Sequence, residues 1–159
     1  MAKRIHLLAL GVVLAAGIGG TAARAATDPV AAVQADVQKL VTDATLLHST
    51  IQADAQKISA DAQSLQGSTD KATVRATLKA DWQKVQADRA QLWPPVQADW
   101  AQLKTDLQAA HAAKAGKGQL KPLLLQANQA LATQRAAVKQ ALDAAHQAAQ
   151  ALRDSLKKK

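Results

Sequence analysis

Aspartate returns along this chain at fixed intervals. Asp36, Asp43, Asp54 and Asp61 are 7, 11 and 7 residues apart, and Asp81, Asp88, Asp99 and Asp106 repeat that spacing 45 residues later. They sit in related phrases, VQADVQKL from 33, IQADAQKI from 51, LKADWQKV from 78 and VQADWAQL from 96. Steps of 7 and 11 sum to about five turns of α-helix, so each set of four carboxylates lies along one line of a helix. Segments 33–65 and 78–110 therefore read as an internal repeat of helical units.

Composition supports the same class. Phenylalanine, tyrosine and cysteine are absent, Trp82, Trp93 and Trp100 are the only aromatics, and alanine and glutamine are abundant. Good helix formers without strand-favouring aromatics give an all-α expectation. Punctuation sets the limits. Asp28-Pro29 offers an N-cap and a first-turn proline, Gly67 followed by Asp70 a stop and a new cap, and Gly116 with Gly118 a second break before Pro122. Helices are expected over about 28–66, 70–114 and 121–157, the first about 57 Å long, in an elongated antiparallel three-helix coiled-coil-like bundle. Pro94-Pro95 falls inside the second helix. The tryptophan spacing of 11 and 7 continues across it, so a kinked continuous helix is expected, with a turn at 93–95 and four helices as the alternative.

On the second helix the apolar stripe runs through Leu78, Val85, Leu92, Val96, Leu103 and Leu107, with Trp82 and Trp100 beside it as expected core and the aspartates on its other shoulder. That shoulder is where coiled coils place charge to choose partners. Lys39, Lys57 and Lys84, three residues after Asp36, Asp54 and Asp81, are expected to pair along their own helix.

The aspartates read as architecture. Seven residues of helix cover about 10.5 Å, too far for two carboxylates of one row to share a calcium ion, so no metal is expected. His48, His111 and His146 lack the spacing of a metal pair, Asp143 and His146 read as a solvent-facing helical pair, and no G-x-S-x-G motif or serine–histidine–acid cluster occurs. Catalytic residues, cofactors and an enzymatic activity are not expected.

The N-terminus narrows location. Basic Lys3 and Arg4 precede a run from Leu7 to Ala23 without charge, and Ala23-Arg24-Ala25 forms a small-x-small signal. Residues 1–25 are expected to be a signal peptide cut before Ala26, leaving 26–159 as one periplasmic or secreted domain; an uncleaved anchor is the alternative. Charge is uneven, with net −3 over 26–66, +2 over 67–114 and +6 over 115–159, so an acidic first helix beside a basic third is expected to favour their pairing. The basic excess nominates Arg135, Lys139, Arg153, Lys157, Lys158 and Lys159 as residues for an anionic surface. Export disfavours nucleic acid as the partner.

The functional expectation is a non-catalytic exported envelope protein, a helical interaction or spacer module binding a protein or an anionic envelope component, with holdase activity and self-association among its expected properties. The alternative is an amphipathic-helix protein binding anionic lipid or polymer surfaces. Mass spectrometry of the exported protein should give an N-terminus at Ala26; a chain that keeps Leu7 to Ala23 would place it in the membrane instead.

Overall fold

Each helix begins where a side chain or a turn takes up loose backbone N–H groups. A computed structural model describes residues 28–158 and shows three of them: α1 (Pro29–Ser64), α2 (Lys71–Ala112) and α3 (Lys117–Lys157), with no strand among the described residues. The expected signal peptide and Lys159 lie outside the described residues. Asp28 accepts from the Val30 N–H at 3.0 Å, and Asp70 accepts from Ala72 and Thr73, both at 3.0 Å. The third helix starts earlier than the proline suggested. Gly116, with φ +59°, turns the chain, and Gln119 and Leu120 both donate to its carbonyl. Pro122 therefore sits inside α3, where the bond it forgoes leaves only the Gly118 carbonyl, at an exposed residue, to water.

Helix α1 is the shared partner. It buries Val33, Leu40, Leu47, Ile51 and Ile58 along its length. Against it α2 sets Val74, Leu78, Val85, Val96 and Leu103, and α3 sets Leu120, Leu131, Leu152 and Leu156 with Ala127, Ala145 and Ala149 between them. The small alanines let α3 come close to α1 while contributing little apolar area each. Both outer helices pack along α1, and they scarcely meet each other.

Contacts fix the directions. Lys39 pairs with Asp99 and Lys57 with Asp81, so α2 runs back along α1. Gly116 at the start of α3 lies against Val30, Gln134 bonds Thr45 and His48, and residues 137–144 lie beside 52–63, so α3 runs the same way as α1. The three helices form an up-down-up bundle with α1 in the middle.

Through Trp93-Pro94-Pro95 α2 is unbroken, so the described residues form three helices and not the four of the alternative reading. The physical reason is exposure. Pro94 and Pro95 lie on the solvent side, as do Ala90 and Gln91, whose carbonyls lose their partners, so water satisfies them.

Two glycines make a controlled comparison. Gly67 has φ +89° with open space around it, whereas a Cβ on Gly116 would overlap the Val30 side chain. Gly67→Ala should lower stability by about 1 kcal/mol from backbone strain alone, and Gly116→Ala by about 2–4 kcal/mol because overpacking adds to strain. Denaturant melts of the two variants check the order; equal losses would mean that α3 does not press on Val30 there.

Candidate functional site

The aspartate rows are the first candidate, because carboxylates in register are the commonest raw material of a site. The structure uses them differently from the expected pairing along one helix. Lys39 bonds Asp43 at 2.8 Å and Asp99 of α2 at 2.5 Å; Lys57 bonds Asp61 at 2.5 Å and Asp81 of α2 at 2.8 Å. Lys84 reciprocates from α2, to Asp88 at 2.5 Å and Asp54 of α1 at 2.8 Å. Each lysine thus reaches the carboxylate four residues ahead, not three behind, and clasps a second one on the neighbouring helix. The fourth place in the pattern is taken by Gln102, which donates to Asp106 at 3.0 Å and supplies a neutral amide where the other three supply an ammonium.

Burial corrects a second expectation. Asp36, Asp54, Asp81 and Asp99 are buried rather than on a charged shoulder. In Asp54, Asp81 and Asp99 one oxygen accepts the lysine, while Oδ2 is shielded from solvent without a hydrogen-bond partner in the structure. A desolvated carboxylate is tolerated only with a charge-assisted partner, so the lysines hold the α1–α2 register. Each of the three lysines bonds two carboxylates, and among the described residues no group of three or more histidines and acids stands close enough to hold a metal ion.

The second candidate is the gap between α2 and α3. Trp82 reaches across it and stacks on His146, with ring centroids 4.4 Å apart, so His146 faces the gap rather than pairing with Asp143. That stack orients both helices. At 100° per residue, Lys71, Arg75, Lys79, Arg89 and Lys104 fall within about 60° of Trp82, whereas Asp81, Asp88, Asp99 and Asp106 lie about 100–120° away toward α1. On α3, Lys121, Arg135, Lys139, Arg153 and Lys157 fall within about 20° of His146. All ten cations are exposed.

Of the ten, Lys139 bonds Asp143 and Lys157 bonds Asp154, both at 3.0 Å on the outer flank of α3; the others form no ion pair among the described residues. No ion pair among the described residues joins α1 to α3 either, although the two helices pack along each other. Asp43, Asp54 and Asp61 of α1 are already held by the lysines of the seam.

The groove also carries aromatic and apolar surface. Trp93 and Trp100 are each 42% exposed, which corrects their expected place in the core. The reason is the one-sided packing of α2: only α1 covers it, so the buried stripe is narrow and side chains 40° off its centre emerge into the gap. At the α3 C-terminal end a cavity of about 580 Å3 is lined by Lys71, Val74, Arg75, Leu78, Lys79 and Trp82 from α2, and by Arg153, Leu156 and Lys157 from α3. Toward the other end a second, of about 570 Å3, lies over Trp100, Leu103, Lys104, Leu107 and His111.

The residues nominated from sequence divide accordingly. Arg153 and Lys157 line the first cavity. Arg135 and Lys139 lie on the same line of α3, each 18 residues or about 27 Å away, and the Arg135 Nε donates to the Leu131 carbonyl at 3.3 Å. Lys158 caps α3 and turns off that line, and Lys159 is outside the described residues. Sequence reasoning missed the α2 wall. Lys71, Arg75, Lys79, Arg89 and Lys104 share a face with Trp82, a phase that a helical projection of the charges alone would have shown.

Compared with protein-family models, with curated proteins and with solved structures, the chain matches none.

The seam has a defined pH window. Hydrogen bonds from Lys39 and Lys84 hold the Asp43 and Asp88 carboxyls below their ordinary 3.8, and the carboxylates hold the Lys39, Lys57 and Lys84 ammonium groups above their ordinary 10.5. The acids' contribution to stability is present above 3.8 and fades as pH falls through their lowered values; the lysines' contribution is whole below 10.5 and fades as pH rises through their raised values. Thermal melts should therefore lose stability below about pH 3.8 and above about pH 10.5. In a Lys39→Met/Lys84→Met variant both losses should shrink; full-size losses in that variant would place their origin outside the seam.

Proposed function

We propose that the protein is a non-catalytic, exported interaction module of the cell envelope. Its working surface is the basic groove between α2 and α3, and its partner is an anionic surface, lipid headgroups foremost. One observation carries this reading: the acids of α1 and α2 serve as helix caps or lie along the α1–α2 seam, while the cations of α2 other than Lys84 are grouped on the open face opposite those of α3. Two cationic walls that repel each other across a gap are stabilised when phosphate comes between them. Exposed Trp93 and Trp100 on the same face suit an interface with one apolar and one wet side. No helix among the described residues is long and apolar enough to cross a membrane. Attachment through the groove would therefore be peripheral.

A passive spacer is the second reading, favoured by helices of 36, 42 and 41 residues lying side by side. Vesicle flotation separates the two. The full chain should be retained on phosphatidylglycerol vesicles at 50 mM salt and released at 200 mM, with much weaker retention on phosphatidylcholine. Replacing Arg89, Lys104, Arg135 and Lys139 together by glutamine should reduce retention on the anionic vesicles by at least about tenfold, at roughly 1 kcal/mol per cation near the surface, and leave melting nearly unchanged. Retention that ignores these four residues would remove the groove from the reading and leave the spacer. Loss of retention in favour of an anionic polymer would move the partner from lipid to polymer.

A further inference from the structure

The groove is not uniform, and its α3 C-terminal end has the makings of a discrete site. Lys71, Arg75 and Lys79 stand one helical turn apart along α2, and Arg153 and Lys157 one turn apart on α3, so five cations surround one cavity of about 580 Å3. No acid lines it, although Asp154 on the outer flank engages Lys157. Beneath the charges the lining reaches the buried core at Val74, Leu78 and Leu156, and Trp82, stacked on His146, stands at the inner end between this cavity and a second one lined by Gln86, His146, Gln150 and Asp154. The volume falls in the range of small-molecule sites, roughly 300–1,000 Å3.

Neither half of this lining is explained by a simple ligand. A free phosphate would satisfy the cations and leave the half-buried Trp82 ring and the aliphatic stems of the lysines and arginines in contact with water. An uncharged apolar molecule would cover the Trp82 ring and those stems and leave four unpaired cations, Lys71, Arg75, Lys79 and Arg153, crowded around it. A molecule with a charged head and an apolar tail satisfies both. We propose that this cavity binds one anionic amphiphile, a single-chain lipid with a phosphate or carboxylate head. The head lies among Arg75, Lys79 and Arg153, where arginine can grip two oxygens at once. The tail lies over the free edge of Trp82 and the aliphatic stems of Lys71 and Lys79, above the buried Leu78 and Leu156. This inference deepens the groove reading, since it selects a monomeric lipid held at one end rather than a headgroup surface along the whole face. The far cavity near Trp100 has an apolar floor and only Lys104 and His111 beside it, so it lacks the charge to compete.

Dodecyl phosphate, kept below its micelle concentration, is the probe, and calorimetry with tryptophan fluorescence on the full chain is the readout. It should bind one per chain and shift the emission, while dodecyl maltoside, with the same tail and no charge, binds at least about tenfold more weakly. Millimolar inorganic phosphate should fail to displace it. Arg75→Gln/Arg153→Gln, at two exposed residues, should keep native helicity by circular dichroism and lose roughly tenfold or more in affinity, whereas Lys104→Gln/Arg135→Gln should stay within about twofold. Displacement by inorganic phosphate would reduce the cavity to an anion site, and equal binding of the maltoside would reduce it to an apolar patch; either overturns the proposal. So does unchanged affinity in the Arg75/Arg153 variant, which would locate binding elsewhere on the chain. Anionic vesicle retention that persists when dodecyl phosphate fails to bind would overturn the cavity and leave the groove reading standing.

Discussion

A carboxylate removed from water must be met by a cation in one place only, and three such meetings set the geometry of this molecule. Asp99, Asp81 and Asp54 accept from Lys39, Lys57 and Lys84 across the α1–α2 seam, and each lysine is steadied by a second carboxylate on its own helix. Sliding α2 along α1 by four residues would leave Asp99, Asp81 and Asp54 facing Ala35, Ala53 and Ala80 in one direction and Asp43, Asp61 and Asp88 in the other. A core in which alanine and valine are interspersed among leucine and isoleucine has less shape to oppose such a slip, because small side chains interdigitate shallowly. Buried charge supplies the discrimination that packing lacks, the use of polar core groups best attested in coiled coils.

The position of α1 follows from that seam, and the groove follows from the position of α1. With its acids engaged by α2 on one flank, α1 offers α3 an apolar and uncharged polar flank, where Gln134 bonds His48 and Thr45 and alanines close the distance. Both outer helices are then bound to the same central one. Their basic faces repel each other, and the gap between them is crossed by Trp82 on His146. A third seam of the usual bundle kind would have required acids reaching across between the two facing surfaces, and the acid that does line the gap, Asp154, is held on α3 by Lys157 and Gln150.

How much of this was legible without coordinates depends on the range of the signal. Helix ends are local: Asp28 and Asp70 cap because their side chains reach N–H groups two or three residues away, and Gly67 and Gly116 turn because a left-handed residue is needed. Those were readable. Partners across helices were not. A lysine three residues after an aspartate looks like its companion in a one-dimensional view, and only the second helix shows that Lys57 belongs to Asp61 and Asp81. The same blindness hid half of the candidate site. Segment 67–114 sums to a weak positive charge because its acids and bases cancel in a count, although they lie on different faces of α2. On α3 nothing cancels so fully, so Arg153 and Lys157 stood out and Arg75 and Lys79 did not.

The distribution of acid also bears on why the chain carries a net charge of +8. There are twelve acids and no glutamate among them. Asp28 and Asp70 cap helices, eight lie in the two rows of the seam, and Asp143 and Asp154 bond lysines of α3. Aspartate has a short side chain that reaches a cap or a seam and little further, so acid in this chain stays where the fold needs it. The cations lack that constraint. Lys39, Lys57 and Lys84 hold the seam; most of the rest gather on the two walls of the groove, where they oppose close approach of α2 and α3 and add nothing to the core. Repulsion of that kind lowers stability in isolation. A charge arrangement that weakens the free protein is relieved when an anion lies between the walls, so the groove's electrostatics favour occupied over empty.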